Sequence, residues 1–429
     1  MRFSSLAEVS LQRLSMSSLD LQERIGTSQS ENDNRPTEPA AVKRVLLIGF
    51  FGAPNFGDEA VALAGIRAMQ ENKEVEAIVA TSNPALTSTY LELEGHVIEG
   101  RYGNCQLRKF VRLSREIKAF NAFVFPGGGI LQDVHSLRLL HQSALYAAAA
   151  CYFNIPYSLI GVGIGPFRTK YGKRLAQFVL KHAQRIVVRD ESSLKEVRGL
   201  YGIPEPELGC DSAFGLCEKT ATLPIPGVIG LAFRHWPGLD AKLVCRLIEQ
   251  LRKLGKEPRL FVCEPAVDRP FYEQICRGLD TPIAIFNPTS VEGARKEIAT
   301  YEGLISMRLH PLIFAMQAGV PISAVSYDPK IDEVMRGVGL EKHCFPLAAN
   351  EGDLIASLIG QPKVPESVLA QRSQAMRHWF KEAIQRPPTD PGLATKLSAG
   401  LLICEMLVRS VLNRAYAKVT QISAQRNAA

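Results

Sequence analysis

The chain contains a series of short apolar runs in which hydrophobic and polar positions do not alternate. The first run covers residues 43–50, where valine, leucine and isoleucine follow one another. Such a run is typical of a parallel strand that is covered on both faces. It leads through a glycine-containing segment, residues 51–59, into a predicted helix at about residues 60–70 with Asn55 or Asp58 as its cap. The pattern therefore predicts that the fold starts with a strand, a turn and a helix.

Strand-like and helix-like patterns continue to alternate along most of the chain. In the first half, further strands are predicted at residues 75–81, 96–101, 122–125, 157–162 and 185–188, with helices between them that include residues 137–151 and 171–183. In the second half, strands are predicted at residues 228–233, 259–263, 283–286, 303–306 and 322–326, with helices at 241–254, at 269–279 and from Leu312. This alternation indicates right-handed βαβ units and open parallel sheets.

A segment with two prolines and a glycine, residues 221–227, separates the two series of elements. A length of 429 residues also favours two domains. We therefore expect an α/β fold with two Rossmann-like domains, residues 42–222 and 228–361, on either side of a central cleft. Residues 1–41 are predicted to form a disordered or weakly helical tail, and residues 362–429 a helical segment that includes 368–384 and 393–421.

Composition and charge narrow the class of function. The chain is 46% hydrophobic and 22% charged, which is typical of a globular protein. Ten of its lysines and arginines, against four acids, lie in residues 362–429, and this segment therefore carries +6 of the net charge of +7. With −2 on residues 1–41, only +3 remains for residues 42–361. We therefore expect no nucleic-acid surface on the folded middle of the chain.

The nine cysteines form no CxxC pair, and neither they nor the histidines show the spacing of metal ligands. We expect buried thiols, no metal and no cofactor. There is no apolar run of the roughly 20 residues that a membrane span needs, and no signal peptide is indicated. The predicted location is the cytoplasm. The basic, partly apolar C-terminal helix either packs across the domains or makes peripheral contact with the inner face of the membrane.

The strongest candidate site is the segment from Ser306 to Pro311, where a strand gives way to a helix. Backbone N–H groups and a positive dipole gather at such a helix start, so anions bind there. Arg308 can clamp a carboxylate or a phosphate while His310, two residues later, transfers a proton. Alternatively, Arg308 pairs with a distant carboxylate and His310 is a core residue. Arg234, at the end of the first strand of the second domain, can supply a second cation for a ligand with both carboxylate and phosphate groups.

A glycine triplet, residues 127–129, follows the predicted strand 122–125. Its amides can accept an anion, and Gly128 and Gly129 allow a ligand to approach the backbone closely. The alternative is a tight turn in which Asp133 caps a helix. Asp58 and Glu59 are each either a catalytic carboxylate or a simple first-turn acid of the helix. For Glu59 the interpretation as a simple first-turn acid is preferred.

Arg189 and Asp211 follow predicted strand ends on the cleft side, where they either line the cleft or form structural pairs.

In their joint order, eight motifs resemble the polysaccharide pyruvyl transferase family, particularly its CsaB type. They span about residues 43–332 and are Asn55-Phe-Gly-Asp-Glu59, Phe125-Pro-Gly-Gly-Gly129 with Asp133, Gly161-Val-Gly-Ile-Gly-Pro166, Val188-Arg-Asp-Glu-Ser-Ser193, Asp211-Ser-Ala-Phe214, Arg308-Leu-His310, Ala318-Gly-Val-Pro321 and Ser326-Tyr-Asp-Pro329. Ser212 departs from the pattern, which would have proline there.

The resemblance implies a GT-B-like fold, a saccharide acceptor on the N-terminal domain and phosphoenolpyruvate as donor substrate on the C-terminal domain. It implies that Arg234 and Arg308 are the donor-binding cations, that the Leu309 amide contacts the donor, and that His310 is the proton donor. Asn55, Gly128 and Gly129 are the further substrate-binding candidates, and Asp133 or Asp58 is the candidate general base. The acceptor would belong to a cell-surface or exported polysaccharide or to its precursor, with a lipid-linked form as one alternative.

Two other functions stay open. A GT-B nucleotide-sugar glycosyltransferase would use the same cleft, but it is expected to place a ribose-binding carboxylate in the second domain, and residues 306–327 contain no acid. A non-catalytic saccharide-binding protein would not need His310.

Overall fold

Two parallel β-sheets with helices on their faces form the part of the chain that the computed structural model describes. That part comprises residues 42–428 except 101–110, 112–113, 135, 217–221, 386 and 388–389. The predicted tail at residues 1–41 lies outside it.

The first sheet has the order β3-β2-β1-β4-β6-β7-β8, with β5 paired to β6, and its paired strands are parallel. Its strands are β1 (Lys43–Ile48), β2 (Val75–Thr81), β3 (Val97–Glu99), β4 (Ala122–Phe125), β5 (Gly128–Leu131), β6 (Tyr157–Ile164), β7 (Arg185–Val188) and β8 (Glu207–Leu208). The helices between them are α1 (Phe56–Gln70), α2 (Pro84–Leu91), α3 (Leu137–Phe153), α4 (Lys170–Lys181) and α5 (Glu191–Arg198).

The second sheet has the order β11-β10-β9-β12-β13-β14 and is also parallel. Its strands are β9 (Val228–Ala232), β10 (Glu257–Phe261), β11 (Ala284–Phe286), β12 (Gly303–Ser306), β13 (Ile322–Ser326) and β14 (Cys344–Pro346). The helices that follow β9 are α6 (Ala241–Lys253), α7 (Pro265–Arg277), α8 (Val291–Ala299), α9 (Leu309–Gln317), α10 (Pro329–Gly337), α11 (Glu351–Ile359), α12 (Glu366–Ala383) and α13 (Gly392–Ala428).

Each sheet has one point where the chain reverses its direction of strand addition. In the first sheet the reversal lies between β1 and β4, and in the second it lies between β9 and β12. Connections from these strands leave on opposite faces and open a crevice at their carboxyl ends, which is where open α/β sheets bind ligands. The topology thus selects one edge of each sheet for the site.

A shared hydrophobic core between the two sheets contains helix α1 and the apolar side chains of α9. The Phe56 ring lies 5.6 Å from Phe261 in an edge-on arrangement and 5.7 Å from Phe314. Truncation of such a buried ring typically costs about 3–5 kcal/mol. Phe56 therefore fixes the start of α1 against the second sheet.

The last two helices return to the first sheet. On α12, Met376 and Phe380 are buried in the shared core, and Trp379 donates a hydrogen bond to Glu207. Helix α13 packs along α3. No helix in the described ranges is both long enough and apolar enough to cross a lipid bilayer.

Most predicted elements are present, but their ends differ. Helix α1 starts at Phe56, with Asn55 as its cap, because the Asn55 side chain accepts a hydrogen bond from the Gly57 amide at 3.2 Å. The predicted glycine turn continues into the short strand β5 along β6. The edge strands β8 and β14, of two and three residues, were not predicted.

Candidate active site

A cavity of about 130 Å³ lies where the carboxyl ends of the two sheets face each other. It is lined by residues of segments that follow strands in both sheets: Asn55, Phe56, Asp58, Gly128, Gly129, Arg189, Asp211, Arg234, Cys263, Glu264, Arg308, Leu309, His310, Pro311, Tyr327 and Lys330. All predicted site residues except Asp133 are therefore brought together. The cavity thus lies where the strand order of each sheet reverses, between β1 and β4 and between β9 and β12.

The segment from Ser306 to His310 is held by hydrogen bonds between the Ser306 side chain and the Arg308 backbone. Strand β12 ends at Ser306, and Arg308 is the extended N-cap residue of α9. The Ser306 hydroxyl accepts a hydrogen bond from the Arg308 amide at 2.9 Å and donates one to the Arg308 carbonyl at 3.0 Å. Leu309 is the first helical residue, and first-turn amides have no acceptor within their own helix. The segment thus presents amides, a guanidinium and an imidazole to one cavity.

Arg308 is buried, and two carboxylates surround it. Its Nη2 atom lies 3.4 Å from Glu264 Oε2, and its Nη1 atom lies 3.7 Å from Asp268 Oδ1. Burial acts to lower the pKa of Arg308, but Cys263, Asp268 and other neighbours raise it above its ordinary value. The guanidinium is therefore permanently cationic.

Arg234 approaches the same carboxylate from strand β9. Its Nη1 atom lies 3.9 Å from Glu264 Oε2, and its guanidinium lies 5.6 Å from the centre of the Trp236 ring. Its Nε atom is buried and makes no hydrogen bond with any residue in the described ranges. The predicted convergence of two arginines is thus present, and Glu264 lies between them.

His310 is enclosed between α1 and the first sheet. Its Nε2 atom is buried, has no hydrogen-bond partner among the described residues and lies 3.9 Å from Asp211 Oδ1. Its ring packs so closely against Gly57 that a Cβ atom added to this glycine would lie 2.0 Å from Nδ1. Gly57 therefore makes room for the imidazole.

The imidazole of His310 is neutral at physiological pH. The pKa of His310 is lowered to about 4, chiefly by burial and also by Lys330, Arg189 and Arg308, although Asp211 opposes them. The sequence predicted this direction from the nearby Arg308, but Arg308 is the weakest of these causes and burial is the strongest.

The pKa of Asp58 is shifted in the opposite direction, above its ordinary value. Asp58 is partly buried in the first turn of α1 and accepts a hydrogen bond from the Asn55 side chain at 2.6 Å. Burial, followed by repulsion from Glu264, raises the pKa of Asp58 to about 7, although Lys330 and Arg308 oppose this. A carboxyl that titrates near neutral pH is suited to acid and base catalysis.

Glu59 lies in the first turn of α1, as the preferred interpretation predicts, but it is also fully buried and accepts hydrogen bonds from the Gly52 amide and Thr87.

Asp133 does not line the cavity, so the structure gives no support to its role as general base. Its carboxylate accepts hydrogen bonds from the Arg168 amide at 2.5 Å and from the Thr169 amide and hydroxyl at 2.8 and 2.5 Å. Although burial acts to raise the pKa of Asp133, these hydrogen bonds hold it below its ordinary value. Asp133 instead secures the start of α4, while Ser136 caps α3.

Three further lining residues carry chemistry that the sequence analysis did not assign. Glu264 follows strand β10, and Tyr327 and Lys330 follow β13. The rule that identified Arg234, namely a charged residue directly after a strand of the second sheet, would also have found Glu264. Both interpretations of Arg189 and Asp211 hold. The two residues line the cavity, and they also form a pair in which Arg189 Nη1 lies 3.9 Å from Asp211 Oδ2. No group of three histidine, cysteine or acidic side chains in the described part of the chain could hold a metal ion.

Comparisons with solved structures identify the fold. A UDP-GlcNAc 2-epimerase from Methanocaldococcus jannaschii has a TM-score of 0.55 at 12% identity, covering 78% of this chain and 98% of the epimerase. The S. aureus MnaA-UDP structure has a TM-score of 0.52 at 15% identity, and the match covers 82% of this chain and 100% of the MnaA chain. At such identities the likeness concerns the fold alone. The predicted Rossmann-like, GT-B-like architecture is confirmed.

Comparisons of sequence identify the family. The family model described as polysaccharide pyruvyl transferase matches residues 55–329. The amylovoran biosynthesis protein AmsJ of Erwinia amylovora is 25% identical over 302 residues, which cover 61% of this chain and 70% of AmsJ. The matched range extends from Asn55 on α1 through the segment from Ser306 to His310. The chain therefore belongs to the polysaccharide pyruvyl transferase family, whose members are transferases.

Proposed function

We propose that the protein transfers the pyruvyl group of phosphoenolpyruvate to a saccharide as a cyclic ketal and releases phosphate. The observation that carries this proposal is the convergence of Arg234 and Arg308 beside His310 in one cavity. Two guanidinium groups match a small donor that bears both a carboxylate and a phosphate. Because both cations belong to the second half of the chain, we place the donor there and the saccharide on the side of Asn55, Gly128 and Gly129.

The proposed reaction has two steps. A general acid protonates the methylene carbon of the donor, and a sugar hydroxyl attacks the electrophilic C2 and loses its proton to a base. A second hydroxyl then attacks C2 and displaces phosphate, which closes the ketal. The two hydroxyl protons balance the proton gained by the methyl group and the proton carried by the departing phosphate. Preorganised cations stabilise the negative charge that develops on the phosphate.

We assign proton donation to His310, coupled to donor binding. Its pKa of about 4 keeps the ring neutral at physiological pH. A bound anion beside the ring favours the charged form and raises this pKa, as Asp211 already does in part. His310 therefore takes up its proton when the donor is present, which restricts protonation chemistry to the occupied site.

The test of the proposed function is incubation with phosphoenolpyruvate and a panel of saccharides, including a lipid-linked form. We expect phosphate release and a product whose mass exceeds that of the acceptor by one pyruvate less one water. Release of UDP or GDP from sugar nucleotides, without any reaction of phosphoenolpyruvate, would instead indicate a glycosyltransferase.

Asp58 is the proposed general base, and replacing it separates catalysis from stability. Asp58→Asn is expected to lower kcat by about 10²–10⁴-fold, the usual contribution of a positioned acid or base. The folded-state pKa of about 7 lies above the ordinary value of 3.8 for an aspartate. Asp58 therefore stabilises the fold less and less as pH rises from about 4 to 7. The free energy of unfolding of the variant should exceed that of the parent by on the order of 2 kcal/mol at pH 8, and the two should be equal near pH 4. The difference at pH 8 is smaller than the full pKa shift would give, because the carboxyl is only partly buried.

Steady-state kinetics and thermal unfolding at both pH values check this prediction. Asp280→Asn, at an exposed position, is the control. Full activity of the Asp58 variant would exclude Asp58 as the base.

Glu264 is an internal anion in the proposed donor site, because its Oε2 atom lies within 4 Å of both arginines. Glu264→Gln removes that charge, so we expect the KM for phosphoenolpyruvate to fall by about threefold to tenfold, equivalent to about 1 kcal/mol. Glu264 also repels Asp58. The pH dependence of kcat/KM should therefore shift to lower pH in this variant.

The same substitution tests the glycosyltransferase alternative, which expects a ribose-binding carboxylate in the second half of the chain. Glu264 is such a carboxylate, although it lies against the arginines. If it bound ribose, the glutamine variant would lose activity with sugar nucleotides and its KM for phosphoenolpyruvate would not fall. Glu351→Gln, on α11 and outside the cavity, serves as the matched control.

A further inference from the structure

Helix α13 has apolar side chains on two faces. One face, with Ala399, Leu402, Ile403 and Met406, is buried in the same core as the side chains of α3. The other face is exposed. Its members, which we call the outer stripe, have exposed fractions of 57–74% and are Leu393, Leu397, Leu401, Val408, Val411 and Leu412.

The outer stripe is continuous from residue 393 to residue 412. Its members are separated by steps of one, three, four or seven residues, which places them within about 100° of one helical face. Cys404 is also exposed and fills the gap between Leu401 and Val408 at the same spacing. At about 1.5 Å per residue the stripe is roughly 30 Å long. Scattered exposed leucines are ordinary, but a contiguous apolar strip indicates an interaction surface.

The charge of the same helix indicates what covers this surface. Residues 392–429 carry five lysines and arginines, namely Lys396, Arg409, Arg414, Lys418 and Arg426, against the single acid Glu405. Glu405 is itself paired with Arg174 and Arg409, and Lys396 is paired with Asp390 at 3.0 Å. A second copy would bring two segments of net positive charge together, which costs free energy. An anionic surface is complementary to it.

We propose that α13 docks the protein on an anionic lipid bilayer. The helix lies in the plane of the membrane, with the outer stripe buried at the boundary of headgroups and acyl chains, and the net positive charge of residues 392–429 is attracted to the lipid phosphates. The opposite face stays packed against α3, so docking requires no unfolding of α13. This inference concerns a surface outside the active-site cavity, and it does not depend on the proposed reaction.

The test is flotation of the full chain with vesicles of phosphatidylglycerol and phosphatidylcholine, compared with vesicles of phosphatidylcholine alone. We expect binding to the anionic vesicles that weakens at high salt, and much weaker binding to the neutral ones. Leu397→Glu/Leu401→Glu should reduce the bound fraction about tenfold or more, because it removes two inserted side chains and adds negative charge. The matched control is Leu223→Glu/Leu254→Glu, which changes exposed leucines outside α13 and should bind as the parent does.

A second double variant, Val408→Glu/Leu412→Glu, changes the other end of the outer stripe. It shows whether the loss of binding in Leu397→Glu/Leu401→Glu is specific to those two positions. All four side chains are more than half exposed, so circular dichroism and thermal unfolding should match the parent. Absence of binding by the parent, or equal binding by both stripe variants, would overturn the proposal. So would a dimer in light scattering that both stripe variants convert to monomer, since a second copy would then be the partner.

Discussion

Replacing His310 with glutamine is expected to lower kcat by about 10²–10⁴-fold while the KM for phosphoenolpyruvate changes little. Glutamine fills a similar volume and can donate a hydrogen bond, but it cannot transfer a proton at neutral pH. The measurement is steady-state phosphate release over a range of donor concentrations. His378→Gln, an exposed histidine on α12, is the matched control and should leave both constants unchanged.

Gly57 supplies an independent test of the position of His310. A methyl group at residue 57 would lie 2.0 Å from the ring nitrogen, so Gly57→Ala must displace the imidazole although alanine itself favours a helix. We expect kcat to fall at least about tenfold, since small misplacements of catalytic groups have large effects. Because both substitutions act through one side chain, the double variant should be no slower than His310→Gln alone. Near-normal activity of His310→Gln would favour the non-catalytic saccharide-binding alternative.

The elements of this fold were predictable where the chain buries both faces of a strand. Strands β4 and β12 have the predicted bounds, since uninterrupted apolar residues admit few other structures. Strands β8 and β14 lie at sheet edges and have only two and three residues. They are too short to show a periodic pattern of hydrophobic positions in the sequence. The position of the cleft followed from strand order, because charged residues after parallel strands gather at one edge.

The partners of the site residues were harder to predict, since the sequence gives types and spacings but not distances. Asp133 and Thr169 are 36 positions apart, and only their contact explains why this carboxylate lies outside the cavity. Similarly, the position of Glu264 after a strand could have marked it as a candidate, but its closeness to Arg308 depends on the pairing of β10 with β9 and of β9 with β12. The pKa of Asp58 depends on burial and on this same Glu264. Long-range contacts thus decided which of the predicted residues have a suitable environment.

Arg308 should contribute most to donor affinity, because its guanidinium is the most buried cation of the cavity and has a fixed orientation. Arg308→Lys keeps the charge but loses the planar fork that binds two anionic oxygens. We expect the KM for phosphoenolpyruvate to rise by about 10–100-fold, equivalent to roughly 1.4–2.7 kcal/mol, with a smaller fall in kcat. Asp268 keeps its hydrogen bonds from the Cys263 and Glu264 amides at 2.8 and 2.7 Å, so the variant should fold.

The matched control for this prediction is Arg295→Lys. Arg295 is equally buried, pairs with Glu292 at 2.8 Å and donates a hydrogen bond to the Leu216 carbonyl. It does not line the cavity. Its replacement should lower the melting temperature without changing the KM, whereas Arg308→Lys should change the KM far more than the melting temperature. If both variants lost stability alike and neither changed the KM, Arg308 would be a structural partner of Asp268, and the donor would have to bind elsewhere.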